Sequence, residues 1–192
     1  DQTSSPSFQA MGMNGTRSLN QPMAFALVSI LVVLCSGIGA HFPADWWLEN
    51  GLVFGCALHL CVTHRRIPLS GVSYTFLFTY LCLHECGAHW TYSAVPYNEW
   101  TATLFGTSLN DALGWKRNHF DSLVHLAYGL LLALPVRETL RHLTGVSDGW
   151  ARLLAVNFIM STSVAYEFIE WAVAESFGGE LGAAYLGAQG DV

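Results

Sequence analysis

Apolar residues in this chain come in long blocks, without the strict alternation of a half-buried strand. Residues 23–40, MAFALVSILVVLCSGIGA, form one uninterrupted run, about the length needed to cross a ~30 Å hydrocarbon core. Four further blocks follow at 46–63, 72–90, 119–137 and 150–174. A bilayer interior offers no water to an exposed peptide group, so each block is predicted to be a helix, whose backbone bonds close within the segment. The expected fold class is all-α: a polytopic transmembrane helical bundle with five helices, residues 23–192 forming one integral membrane domain. Residues 1–22, rich in Ser, Gln, Asn and Gly and free of apolar periodicity, read as a disordered N-terminal tail or partly as sequence added for expression. This start is too long and too poor in positive charge for a typical signal peptide, and an uncleaved signal anchor is the alternative. No internal repeat is visible.

Composition supports the bilayer. Hydrophobic residues make up 52% of the chain and charged ones 11%, against roughly 25% charged in soluble globular proteins. The net charge of -6 comes with neither a basic run for nucleic acid nor an acidic tail. Cys35, Cys56, Cys61, Cys82 and Cys86 all lie in apolar stretches, which points to free buried thiols and away from a disulfide framework.

Arg17, Arg65, Arg66, Arg137, Arg141 and Arg152 fall on one side of the predicted bundle, and only Lys116 and Arg117 fall on the other. The positive-inside rule makes the first side cytoplasmic, with the N-terminus on it. Trp46, Trp47, Trp90, Trp100, Trp115 and Trp171 mark the outer interface, leaving only Trp150 inside. The outer connection, residues 91–118, is long for a bundle loop. Trp100, Leu104, Phe105, Leu109 and Leu113 recur in it at spacings of four and five, compatible with a short helix on the membrane surface that anchors the chain or caps a site.

Polar residues inside the blocks carry the candidate chemistry. Glu85 and His89 lie four apart near the outer end of the third span, Asp121 and His125 four apart near the outer end of the fourth, and Glu167 and Glu170 three apart in the fifth. Each pair shares a helix face. At a rise of ~1.5 Å per residue all three pairs lie within roughly 3 to 10 Å of the outer interface. Ionisable groups in a span are costly, and they usually face the bundle interior and mark a site, so the three pairs are expected to converge in one outer-facing polar pocket. The competing expectation is that they only form interhelical hydrogen bonds. A divalent metal such as Zn, Fe or Mn is the candidate cofactor, with His89, His125, Glu167 and Glu170 as ligands. The spacing departs from known metal motifs, because HECGAH is not HExxH, and YEFIE has Glu-x-x-Glu where di-iron bundles use Glu-x-x-His. His84 faces about 140° from His89 at 100° per residue and is expected to bond a neighbouring helix. His59 and His64 read as satisfied or interfacial, and Glu49 as a partner for Lys116 or Arg117. No nucleophile elbow, P-loop or dinucleotide fingerprint is present.

Four segments in order, GAHWTYSAVPY (87–97), KRNHFDSLVHLAYGLLLALPVRE (116–138), YEFIEW (166–171) and AAYLGAQGDV (183–192), resemble the YjdF-like family of bacterial inner membrane proteins, to which no activity is attached. The likeness covers residues 45–192. A weaker similarity to the VanZ-like proteins rests on the Asp-x-x-x-His that opens the fourth span. The resemblance implies location in the bacterial cytoplasmic membrane and six helices, the sixth following Val192. It also puts His89, Tyr92, Asp121, His125, Glu167, Glu170, Gln189 and Asp191 on motif positions. Trp90 stands where the family commonly has Tyr, which keeps an interfacial aromatic. The candidate ligand-binding residues are thus Glu85, His89, Tyr92, His119, Asp121, His125, Glu167, Glu170, Gln189 and Asp191.

The function expected from these residues is binding or processing of an amphipathic, lipid-linked ligand whose head group meets the His and carboxylate side chains. Its rival is a non-catalytic membrane scaffold or assembly subunit whose polar residues lock helix packing. A transporter is disfavoured because the polar groups sit at one level and do not line a path across the midplane. The distribution of arginines generates a topology test: with the five native cysteines replaced, a cysteine at Ser70 should react only from the cytoplasmic side and one at Ser108 only from outside. Labelling of both from one side would overturn the predicted orientation.

Overall fold

A computed structural model describes residues 20–179. Seven helices and no strand occur among the described residues: α1 (Asn20–Gly37), α2 (Pro43–Thr63), α3 (Gly71–Trp90), α4 (Tyr97–Phe105), α5 (Leu109–Leu113), α6 (Phe120–Thr144) and α7 (Asp148–Phe177). The five long ones correspond to the five apolar blocks. α6 and α7 are long and apolar enough to cross a membrane, and α1 contributes a shorter apolar stretch, Met23–Gly37. The single surface helix expected in the outer connection is instead two, because Gly106 takes a left-handed φ of 78° and stops α4 before Ser108 caps α5. Trp100, Leu104, Phe105, Leu109 and Leu113 are all exposed on that hairpin.

α3 is the hub. It packs against α1, α6 and, more lightly, α2, while α7 packs against α6. The buried stripe on α7 begins with small residues, Ala151 and Ala155, followed one turn later by Ile159; small residues are usual where helices meet without a hydrophobic driving force. Large apolar side chains point outward, among them Leu27, Leu31, Leu34, Leu58, Leu130, Val164 and Phe168, as suits a protein surrounded by lipid. The five cysteines are free as expected, but not buried: Cys35, Cys56 and Cys61 are exposed and Cys82 and Cys86 half-buried. Apolar position in the sequence did not mean interior position, because lipid is as good a solvent for a thiol as the bundle core.

Polar bonds tie the helices at the end where α3 begins and α6 finishes. Ser70 caps α3 by accepting from the Ser73 backbone N–H, and Glu138 of α6 accepts from the Ser70 N–H and the Ser73 hydroxyl, each at 2.8 Å. α6 runs past its apolar block to Thr144, where Gly145 at a φ of 66° ends it. The extra turns bring Arg137 and Arg141 to Asp148 at the start of α7, which also pairs with Arg152 at 2.7 Å. Acid in the first turn of α7 and base in the last turns of α6 also suit the two helix dipoles.

Ser73 is fully buried, so its replacement leaves Glu138 short of a donor. Ser73→Ala should lower stability by about 1 kcal/mol in detergent unfolding, within the measured range for interhelical hydrogen bonds. Thr79→Ala, which removes only a bond to the Thr75 carbonyl of its own helix, should change it less.

Candidate functional site

The three polar pairs do not meet in one pocket. Glu85 and His89 face α1: Ser36 donates to Glu85 Oε2, Trp46 Nε1 donates to Ser36 Oγ at 3.0 Å, and His89 Nδ1 lies 2.7 Å from the Ser36 carbonyl. The cause is the hub position of α3, whose Glu85 face is taken by α1. Trp46 is buried in this seam and does not belong to the outer aromatic belt. Gly37 permits the approach, since a Cβ there would stand 3.0 Å from the indole.

Asp121, His125 and Glu167 do come together. His125 Nε2 lies 3.2 Å from Asp121 Oδ1 and 3.7 Å from Glu167 Oε1, across the α6/α7 boundary, and all three side chains are between 35% and 50% exposed. Glu170 is within electrostatic range of Glu167, Glu49, Asp121 and His125. His119 is not part of this group: its ring rests on Trp115 with centroids 4.7 Å apart, and its backbone N–H donates to the Tyr97 hydroxyl. Gln189 and Asp191 lie outside the described residues.

A metal centre is not formed among the described residues, where no three His, Cys, Asp or Glu side chains are grouped so as to hold an ion. The proposed ligands are divided, since His89 serves the α1 seam while His125 and Glu167 face each other on α6 and α7.

Between these groups lies a further set of residues, of which the sequence had named only Tyr92 as a candidate for the site. Asp45, Glu49 and Asn50 on α2 are buried, and Glu49 is not paired with Lys116 or Arg117. Its Oε2 accepts from the Tyr166 hydroxyl at 2.6 Å and lies 3.4 Å from the Tyr92 hydroxyl. Tyr92 in turn lies 2.7 Å from His84 Nδ1, so His84 finds its partner in the turn after its own helix and not on a neighbouring one. A signal was available: Asp45 and Glu49 are four apart near an outer helix end, the same criterion that selected the pairs on α3 and α6.

Tyr92 reaches this position through an unusual turn. Thr91 and Tyr92 both take left-handed φ values, 54° and 50°, uncommon for side-chain-bearing residues. The Tyr92 N–H donates to the Gly87 carbonyl at 2.8 Å, which folds the ring back over α3. A Cβ on Gly87 would stand 2.4 Å from ring carbon Cε1, so glycine is required there. Burial, and after it the neighbouring Glu49 carboxyl, hold the Tyr92 phenol well above its ordinary range, and the hydroxyl keeps its proton.

The sequence model of a family described as "Predicted membrane protein (DUF2238)" matches residues 21–192. Inner membrane protein YjdF of Escherichia coli (strain K12) is 32% identical over 167 residues, covering 86% of this chain and 76% of that protein. No solved structure matches.

The Gly87 contact generates a double-mutant test. Gly87→Ala should cost about 1 to 3 kcal/mol through overpacking against Tyr92. In a Tyr92→Ala background most of that cost should vanish, giving a coupling above about 1 kcal/mol in thermal or detergent unfolding. Additive effects would show that the ring does not rest on Gly87.

Proposed function

We propose that this chain, which belongs to the DUF2238 family of predicted membrane proteins, is a multi-pass protein of the bacterial inner membrane that binds an amphipathic, lipid-linked ligand at the outer ends of α6 and α7. The single observation that carries this proposal is an exposed apolar face of α7, formed by Val164, Phe168 and Trp171, with Glu167 among them. The same carboxylate also faces His125. A ligand chain lying along this face would therefore place its head group against Glu167, His125 and Asp121. Because that group is rich in carboxylates, it suits a head group bearing hydroxyl or ammonium donors. The location in the inner membrane is supported by the name of the E. coli relative, and a cytoplasmic N-terminus by the arginine distribution.

A second reading, the scaffold whose polar residues lock helix packing, is favoured by the cross-helix bonds of Glu85 to Ser36 and of Tyr128 to Thr162 at 2.6 Å. The two readings assign different residues. The α1 seam and the inner-end bonds serve packing, whereas Asp121, His125 and Glu167 remain half-exposed where a ligand can reach them.

Isosteric replacement separates the readings. Glu167→Gln and His125→Asn keep size and hydrogen-bonding capacity while removing a charge or a titratable ring. Each should weaken retention of co-purified lipid by about tenfold, the worth of a hydrogen bond to a charged group. Native mass spectrometry reads the lipid and size-exclusion chromatography the fold. Wild-type lipid levels in both folded variants would remove the ligand site and leave the scaffold.

A further inference from the structure

The connection between α3 and α6 is built from helices too short to stand alone in water. α4 has nine residues and α5 five, whereas an isolated helix shorter than about 12 to 15 residues is marginal there. They pack on each other, and neither makes an extensive contact with a long helix. Polar bonds hold the pair together from within. Thr101 Oγ1 accepts from the Leu109 N–H at 2.9 Å, Asn98 Oδ1 accepts from the Asn110 N–H at 3.0 Å, and the Tyr97 hydroxyl donates to Asn110 Oδ1 at 2.8 Å.

The hairpin is therefore inverted, with its polar side chains joined inside and its large apolar ones turned out. Trp100 and Leu104, four apart, share one face of α4, while Glu99 and Thr103 share the adjoining face about 100° round the helix. Leu109 and Leu113, also four apart, share a face of α5. Leu104 is 74% exposed and Phe105 77%. A contiguous apolar surface of this kind marks a contact with something beyond the chain's own core.

The anchorage of the hairpin indicates what that contact is. His119 N–H donates to the Tyr97 hydroxyl and Asn118 Nδ2 to the Val95 carbonyl, each at 2.9 Å. Val95 and Phe120, which flank the hairpin, are buried together, with Trp90 and Tyr97 packed against them. Both ends are thus pinned at the level where α3 finishes and α6 begins, which in a membrane bundle is the level of the lipid head groups. Trp115, Lys116 and Arg117 close the hairpin and are exposed, and aromatic and basic residues are the types that settle at that level.

We propose that the α4–α5 hairpin binds the lipid surface beside the bundle. Trp100, Leu104, Phe105, Leu109 and Leu113 insert among the acyl chains of one leaflet, Lys116 and Arg117 meet lipid phosphates, and Glu99 and Thr103 face water. The bilayer supplies the apolar partner that two such short helices lack, and the hairpin is a lipid-bound float and not a lid over Asp121 and His125.

Electron paramagnetic resonance of the full chain in nanodiscs of phosphatidylcholine and phosphatidylglycerol tests this placement. With the five native cysteines replaced, a nitroxide is attached through Leu104→Cys or Thr103→Cys, both at exposed positions. At Leu104 collisions with oxygen, which concentrates in hydrocarbon, should exceed those with a water-soluble nickel chelate, and the order should invert at Thr103. Nickel-dominated collisions at both positions would put the hairpin in water. Protection of Leu104 from both reagents would put protein over it, either this bundle or a second copy. Each result overturns the proposal. Should the cysteine-free chain fail to fold, quenching of the native chain by phospholipids brominated along their acyl chains decides: Trp100→Phe should remove the quenchable emission of one of the seven tryptophans, and an unchanged quenchable emission would overturn it. None of these readouts depends on lipid retention at Glu167 and His125.

Discussion

Inside a hydrocarbon layer there is no water to receive a polar group that the protein leaves unpaired, and each other feature of this molecule answers to that constraint. The backbone answers it with helices. Side chains answer it with bonds between helices, and these converge on α3 because that helix touches α1, α2 and α6. Neighbouring residues on a helix are about 100° apart, so His84 and Glu85 serve different seams. One reaches Tyr92 and, through it, α2; the other reaches Ser36 on α1.

The turn after α3 shows how far local geometry is bent to satisfy this need. Two successive residues with side chains take left-handed φ values, a costly choice, and a glycine one turn earlier makes room for the returning ring. The result is a polar group supplied to the bundle from outside any long helix. At the opposite end the solution is simpler, with Glu138 and Asp148 drawing serine donors and arginines across the helix ends.

Two kinds of polar environment result. Glu49, His84 and Glu85 are enclosed and held by aromatic hydroxyls and serine, whereas Asp121, His125 and Glu167 are half-exposed beside an apolar face of α7. Glu170 lies within electrostatic range of members of both, namely Glu49 and His125. A change of charge on one side is therefore felt on the other.

Sequence by itself determined the helical class, the five long helices and the Asp121–His125 pair on α6, because block length and i, i+4 spacing are local properties of the chain. It also contained the pair Asp45 and Glu49, passed over because one lay just outside the apolar block and the other had a ready explanation in Lys116 or Arg117. Which helix each polar face meets was not legible. Glu85 and His89 satisfy the same spacing rule as Asp121 and His125, yet α1 claims them, because helical periodicity fixes a direction relative to its own axis and says nothing of which neighbour stands there. Tertiary packing alone decided that His84 bonds Tyr92, that Tyr166 joins Glu49 across 117 positions of chain, and that His89 stands apart from His125 and Glu167, since these contacts depend on how separate helices are arranged around α3.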